Sequence, residues 1–249
     1  MSLRGRAAIV GVAESDLGEV GPGFTPLYLV GQATIRALDD AGLKREDVDG
    51  LFSASAYYHM PTLSVGEYLG IRPRYSDATS MGGSSFVSHL FHAAAAIEAG
   101  LCEVALITYG STQRSDRGRL VSGSETLPYE APYEPHYPVS MYALAASRHM
   151  HQYGTTREQL AEVAVAAREW AKLNPKAFMR DDLSVEDVLN SRMVSSPLSV
   201  LDCCLVTDGG GAVVVTGAER ARGLAKPPRS TCSARERRTG TATSPRCRT

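Results

Sequence analysis

Ser80-Met-Gly-Gly-Ser-Ser-Phe-Val-Ser-His-Leu-Phe-His-Ala-Ala-Ala-Ala-Ile-Glu-Ala-Gly100 reads as a small glycine-rich turn that opens directly into a helix. Phe86, Leu90, Ala93, Ala94 and Ile97 recur at helical spacing and predict one inward face. Gly100 supplies the stop that a left-handed helix end prefers. Residues 102–109, Cys-Glu-Val-Ala-Leu-Ile-Thr-Tyr, then read as a short buried strand. The order of turn, helix and strand places a helix N-terminus, with its open backbone N–H groups, at the edge of a sheet. An anion or a polarised carbonyl oxygen is held in such a place. The plainer alternative is that Gly82 and Gly83 only permit close packing. Ser84 or Ser85 would then cap the helix rather than attack a substrate, because the surroundings are not G-x-S-x-G.

The neighbouring segments repeat the alternation of strand and helix. Residues 6–14 form a near-continuous apolar run, the pattern of a strand buried on both faces. Thr25 and Pro26 supply a capping hydroxyl and a first-turn proline. The helix they start carries Leu27, Val30, Thr34, Ala37, Leu38 and Ala41 inward and stops at Gly42. Short strands are predicted over 48–54 and 74–79, with a brief helix over 62–70 between them. Residues 207–216 read as a turn and a buried strand, so Asp208-Gly-Gly-Gly211 is not a dinucleotide fingerprint, which needs a following helix. The fold class is α/β, a mixed sheet with helices on both faces.

Between 116 and 138 the texture changes: glycines and prolines break any regular element, and Tyr129, Tyr133 and Tyr137 recur among them. Loops of this length in compact proteins tend to be functional. Helices follow over 141–153 and 156–173, the second with Leu160, Val163, Ala164, Ala167 and Trp170 or Ala171 on its inner side. Ser184 begins a capping box for a third, and residues 194–201 return towards the sheet. Taken together, about 115–206 form an inserted helical loop domain within a unit spanning 1–226.

Composition narrows the function classes. The 249 residues are 43% hydrophobic and 21% charged, as in a globular protein that lives in water. A net charge of −1 gives no sign of a nucleic-acid or anionic-membrane partner. No run approaches the roughly 20 apolar residues of a membrane span, and the first residues turn polar too quickly for a signal peptide. Five cysteines, one adjacent pair among them, fit neither a disulfide scaffold nor a zinc site. A reducing, cytoplasmic location is the expectation. Cys203 and Cys204, beside Leu201 and Leu205, are expected in the core. His89 and His92 share a helix face without a third ligand nearby, so no metal is expected there and partly buried, satisfied histidines are.

On these residues the chain resembles the thiolase superfamily, N-terminal half only. Counting back from Ile97 and Gly100 at that family's spacing puts its nucleophilic cysteine at Gly83. Residues 11–15, residues 141–159 and Thr207-Asp-Gly-Gly-Gly-Ala212 fall where the family has its first strand, its loop-domain helices and its Asn-Asp-Gly-Ala-Ala-Ala motif. Gly83 cannot form an acyl-enzyme. The resemblance is therefore to the Cys-lacking, lipid-transfer-protein-like members that include steroid side-chain aldolases. It implies acyl-CoA thioester chemistry, by acyl transfer or by retro-aldol cleavage with a general base and an oxyanion hole.

The resemblance also implies an oxyanion or thioester site at Gly82, Gly83, Ser84 and Ser85, and substrate contacts from His136, Met141 and His89. No bound cofactor is implied, and coenzyme A enters as part of the substrate. A homodimer and an OB-fold, zinc-ribbon partner protein complete the implied picture. The remaining acid/base residues of that family lie in its C-terminal half, so no catalytic acid or base is assigned in this chain. The rival expectation is a catalytically incomplete fragment that only binds acyl-CoA or dimerises. A third is acyl transfer through Ser84 or Ser85.

Residues 227–249 hold six arginines and one glutamate, +5, which leaves −6 for residues 1–226. This tail has no Ile, Leu, Val, Met, Phe, Tyr or Trp and cannot build a core. A shifted reading of its codons permits a Val-Leu-Gly strand, so the tail is expected to be out of frame beyond about 228.

Overall fold

A computed structural model describes residues 2–116 and 127–224 and the backbone of 230–231. The tail beyond 231 and the segment 117–126 lie outside the described residues, as does the frame of the tail. The elements are β1 (Ala7–Glu14), α1 (Pro26–Ala41), β2 (Gly50–Phe52), α2 (Pro61–Leu69), β3 (Tyr75–Asp77), α3 (Ser85–Glu98) and β4 (Val104–Ser111). After them come α4 (Val139–Tyr153), α5 (Arg157–Leu173), α6 (Val185–Asn190), β5 (Met193–Ser195), β6 (Leu198–Ser199), β7 (Gly209–Gly217), α7 (Ala218–Arg222) and β8 (Ser230–Thr231).

Six strands form one mixed sheet in the order β3-β2-β4-β7-β1-β8. β2 runs parallel to both β3 and β4, while β7 is antiparallel to β4 and β1. Alternation along β4 and β7 divides the core. Val104, Leu106, Ala212 and Val214 meet Val30, Ala33, Ala37 and Leu38 of α1 on one face. Ala105, Ile107 and Val215 meet Ala93, Ala94 and Ala96 of α3 on the other. The period of two in each strand is what lets one sheet feed both layers.

α1 begins and ends as its sequence predicts: the Thr25 hydroxyl accepts from Tyr28 N–H, and Gly42 closes it at φ 69°. Leu29 and Ala33 are buried on it, whereas Leu27 is only half-buried. The helix lies so close to the sheet that a Cβ on Gly11 would sit 2.2 Å from the Ala37 carbonyl oxygen. α2 stops at Gly70, also left-handed, and α6 carries the expected capping box between Ser184 and Asp187.

Three expectations need correction. Residues 194–201 do not return to the main sheet; β5 and β6 pair with each other in a separate small hairpin, closed by the short link at Ser196 and Pro197. Val163 and Trp170 face outwards, 69% and 76% exposed, as does Ala167, while Leu160, Ala164 and Ala171 of the expected face are partly buried beside fully buried Ala161. The vicinal cysteines are not core: Cys204 is exposed and Cys203 half-buried, because their loop runs over the surface before β7. Cys102, by contrast, is buried, and that burial pushes its thiol up to about 11.

Candidate functional site

The glycine turn ahead of α3 sits at the C-terminal end of β3 and beside the C-terminal end of β4. Gly82 adopts φ 71°, a left-handed conformation that favours glycine. Gly83 does not, and a Cβ at either position would meet nothing within 4 Å. Close packing is therefore not why the two glycines are there. Gly82, Gly83 and Ser84 are exposed, while Ser85 is completely buried. The Ser85 N–H closes onto the Gly82 carbonyl at 3.1 Å, so it is turned into the structure and the outward edge of the turn is Gly83 and Ser84. The Ser85 hydroxyl donates to that same carbonyl at 2.6 Å and accepts from Met81 N–H at 2.9 Å. A hydroxyl held in this way is a brace, not a poised nucleophile.

α3 itself is half a core helix. Its inner face carries Ala93, Ala94 and Ala96 together with fully buried His89, and Phe86, Leu90 and Ile97 pack at the margin. Its outer face shows Val87 at 74% and Phe91 at 61% exposed. Beside Phe86 a cleft of about 580 Å³ opens over the sheet, walled by Val12, Ala13, Ile107, Tyr109 and Val213.

His89 donates through Nε2 to the Thr79 carbonyl at 2.9 Å, and burial pulls its pKa below the usual histidine range. The carbonyl can only accept, which fixes the proton on Nε2. His92 pairs through Nδ1 with Asp77 Oδ2 at 2.6 Å. Burial pushes the Asp77 carboxyl up, but hydrogen bonds from the Thr79 hydroxyl and N–H and from His92 outweigh it and hold it low. Asp77 and Thr79 had no role in the sequence reading. The legible signal was the Asp-x-Thr spacing, which forms an Asx turn from Oδ1 to Thr79 N–H.

The other predicted contacts lie apart on the insert. His136 is exposed, with its N–H on the Ser140 hydroxyl, and Met141 is 43% exposed at the start of α4. Among the described residues neither is hydrogen-bonded to the turn. His149 bonds to Thr155 on the far end of α4. Among the described residues no three His, Cys, Asp or Glu side chains converge as a metal set.

A second cluster ties the insert to the sheet. Asp208, 1% exposed at the entrance to β7, accepts Val20 N–H at 3.0 Å, Arg114 N–H at 2.7 Å and the Ser115 hydroxyl at 2.5 Å. Burial pushes its carboxyl up, but these bonds dominate and hold it below the usual carboxylate range. Asp208 thus binds the loops after β1 and β4 to the start of β7.

No family profile matches the chain. Over 91% of its length it is 35% identical to the steroid side-chain-cleaving aldolase of Thermomonospora curvata, of which it covers 60%. It is equally identical, over 91% of its length, to the 17-hydroxy-3-oxo-4-pregnene-20-carboxyl-CoA lyase of Mycobacterium tuberculosis, covering 61% of that protein. The chain is thiolase-like in fold and homologous to these two enzymes over most of its length. A solved Ltp2-ChsH2(DUF35) aldolase superposes with a TM-score of 0.77 at 34% identity, over 91% of this chain and 59% of that one. Human mitochondrial 3-ketoacyl-CoA thiolase, 17% identical with a TM-score of 0.65, shares the fold alone. The chain spans about three fifths of the length of the curated relatives it matches. No helix among the described residues is long and apolar enough to cross a membrane.

Proposed function

We propose that this chain forms the glycine-turn half of an aldolase acting on CoA thioesters in lipid or steroid side-chain degradation. The single observation that carries the reading is Gly83: it stands exposed at the start of a core helix, with open space in front of it and no thiol. A site of this kind can hold the thioester oxygen but cannot take an acyl group. In a retro-aldol step a base removes the proton of the β-hydroxyl, the bond between Cα and Cβ breaks, and its electron pair moves onto the thioester as an enolate. Protonation of Cα then releases the shortened acyl-CoA. The helix start would stabilise the enolate oxygen through Gly83 and Ser84. The apolar cleft beside Phe86 suits the hydrocarbon of such a substrate.

Substrate contacts from His136 and Met141, CoA contacts from the 115–206 insert, and a cytoplasmic location belong to this reading. So does a homodimer working with an OB-fold, zinc-ribbon partner. The solved Ltp2-ChsH2(DUF35) aldolase supports the partner, since its name joins two components.

A second reading is a binder without turnover. It is favoured by the wiring around the turn. His89 is bonded to the Thr79 carbonyl of the lead-in loop, and His92 is paired through Nδ1 with Asp77, which itself holds Thr79.

The deciding experiment incubates a β-hydroxyacyl-CoA with the chain, alone and with the C-terminal two fifths of the Thermomonospora aldolase added. Carbonyl product and shortened acyl-CoA, with no acyl adduct on the protein by mass spectrometry, are the expected outcome of the mixture. Binding without cleavage in both samples selects the second reading. An adduct on Ser84 or Ser85 overturns both in favour of acyl transfer.

A further inference from the structure

The turn before α3 has almost nothing of its own to hold it. Ser84, at the helix N-cap, makes no side-chain capping bond, and neither glycine has a neighbour within reach of a Cβ. Its restraint comes from one stripe of α3. Ser85, His89 and His92 follow one another at intervals of four and three, one per turn on the same face. Each reaches back to a successive point on the incoming chain. Ser85 ties Met81 and Gly82, His89 ties the Thr79 carbonyl, and His92 ties Asp77. Asp77 in turn grips Thr79 through its hydroxyl at 2.7 Å and its N–H at 2.8 Å. Residues 77–82 thus run back along the helix, laced to it at every turn.

His89 is the middle tie and the one with least freedom. Its side chain is fully buried between the rings of Phe52 and Phe86, with centroids 6.1 and 5.9 Å away. Its other nitrogen, Nδ1, is buried without a hydrogen-bond partner. A bare Nδ1 in an apolar wall has no acceptor for a second proton, so the ring stays a neutral, one-way donor to Thr79.

We propose that His89 is a positioning residue for the Gly82–Ser84 turn: its Nε2–H holds the Thr79 carbonyl, and with the Asp77–His92 pair sets where the outward edge of the turn lies. This rests on reading that edge as the seat of a thioester oxygen. His89 acts there from behind the turn and does not touch the substrate.

Hydrogen exchange on the 249-residue chain tests it, in wild type, His89→Ala and His89→Gln. In His89→Ala the hydrogen-bonded amides of Thr79, Met81 and Ser85 that frame the turn are expected to exchange at least tenfold faster, with those of β4 and β7 changed less than twofold. Gln can place an amide N–H towards Thr79 and should recover at least half of the lost protection. No change at the turn, or an equal rise in β4 and β7, overturns the positioning role. Should His89→Ala fail to fold, the wild-type imidazole ¹⁵N spectrum decides. A neutral ring protonated at Nε2 is expected to persist below the ordinary histidine pKa of 6.5, and a charged or Nδ1-protonated ring there overturns the proposal. Titrating acetyl-CoA into the same samples separates the two layers: normal exchange results with no acetyl-CoA binding in wild type would remove the thioester reading and leave the positioning role standing.

Discussion

The two faces of the main sheet are built from the same strands and held in different ways. On the α1 side the contact is close and apolar, with Leu29, Ala33, Ala37 and Leu106 wholly buried. Glycines there let backbone meet backbone: a Cβ on Gly110 would lie 2.4 Å from the Pro26 carbonyl oxygen. On the α3 side alanines make a thinner layer, Val87 and Phe91 point away from it, and polar side chains lace the helix to its own lead-in loop. The first face is a foundation, built on apolar contact between α1 and the strands. The second is a platform whose exposed rim carries the site. A sheet can thus keep one face for stability and leave the other adaptable.

The contrast should break most visibly in stability. Leu106→Ala on the α1 face is expected to cost about 2–5 kcal/mol, whereas Phe91→Ala on the outer side of α3 should stay within about 0.5 kcal/mol. Urea denaturation of both variants measures the difference, and equal losses would show that α3 is packed as fully as α1.

A smaller effect separates two glycines. Gly11→Ala must move α1 off the sheet and is expected to cost about 1–3 kcal/mol, while Gly83→Cys, which meets open space, should cost under about 1 kcal/mol. The new thiol should react with iodoacetamide faster than Cys102, since a helix start favours the thiolate. An unreactive Cys at 83 would place the turn inside the structure.

The smallest effect is in pH. Unfolded His89 takes up a proton near its ordinary value of 6.5, while the folded, buried ring stays neutral below that. The unfolded chain then binds more protons, so stability falls as pH drops below about 6.5. His89→Gln should flatten that part of the curve. Asp77 and Asp208, both held low, add stability present above their ordinary value of 3.8, and it is lost as pH falls further. Asp208→Asn should flatten only this lower part. A His89→Gln curve superimposable on wild type between pH 7 and 5 would mean that the ring charges in the folded state.

Local signals in the chain set the elements and, to within a residue or two, their ends. Thr25, Pro26, Gly42, Gly70, Ser184 and Gly100 act locally, through caps and left-handed stops, and local signals survive in any tertiary setting. The same holds for the alternation along β4 and β7 that fills both sides of the sheet. The turn at Gly82 to Ser85 was legible as a helix start for the same reason, and its departure at Gly83 needed only a comparison of spacing. Tertiary structure decided which side of α3 and α5 meets a neighbour, because an apolar stripe says that burial is favoured and not what supplies it. It sent residues 194–201 into a separate hairpin and brought Asp208 to Val20, some 188 positions away in sequence. It also gave His89 its task. Two histidines three apart predicted a shared face, but only the returning chain at Asp77 and Thr79 could turn that face into the lacing behind the glycine turn.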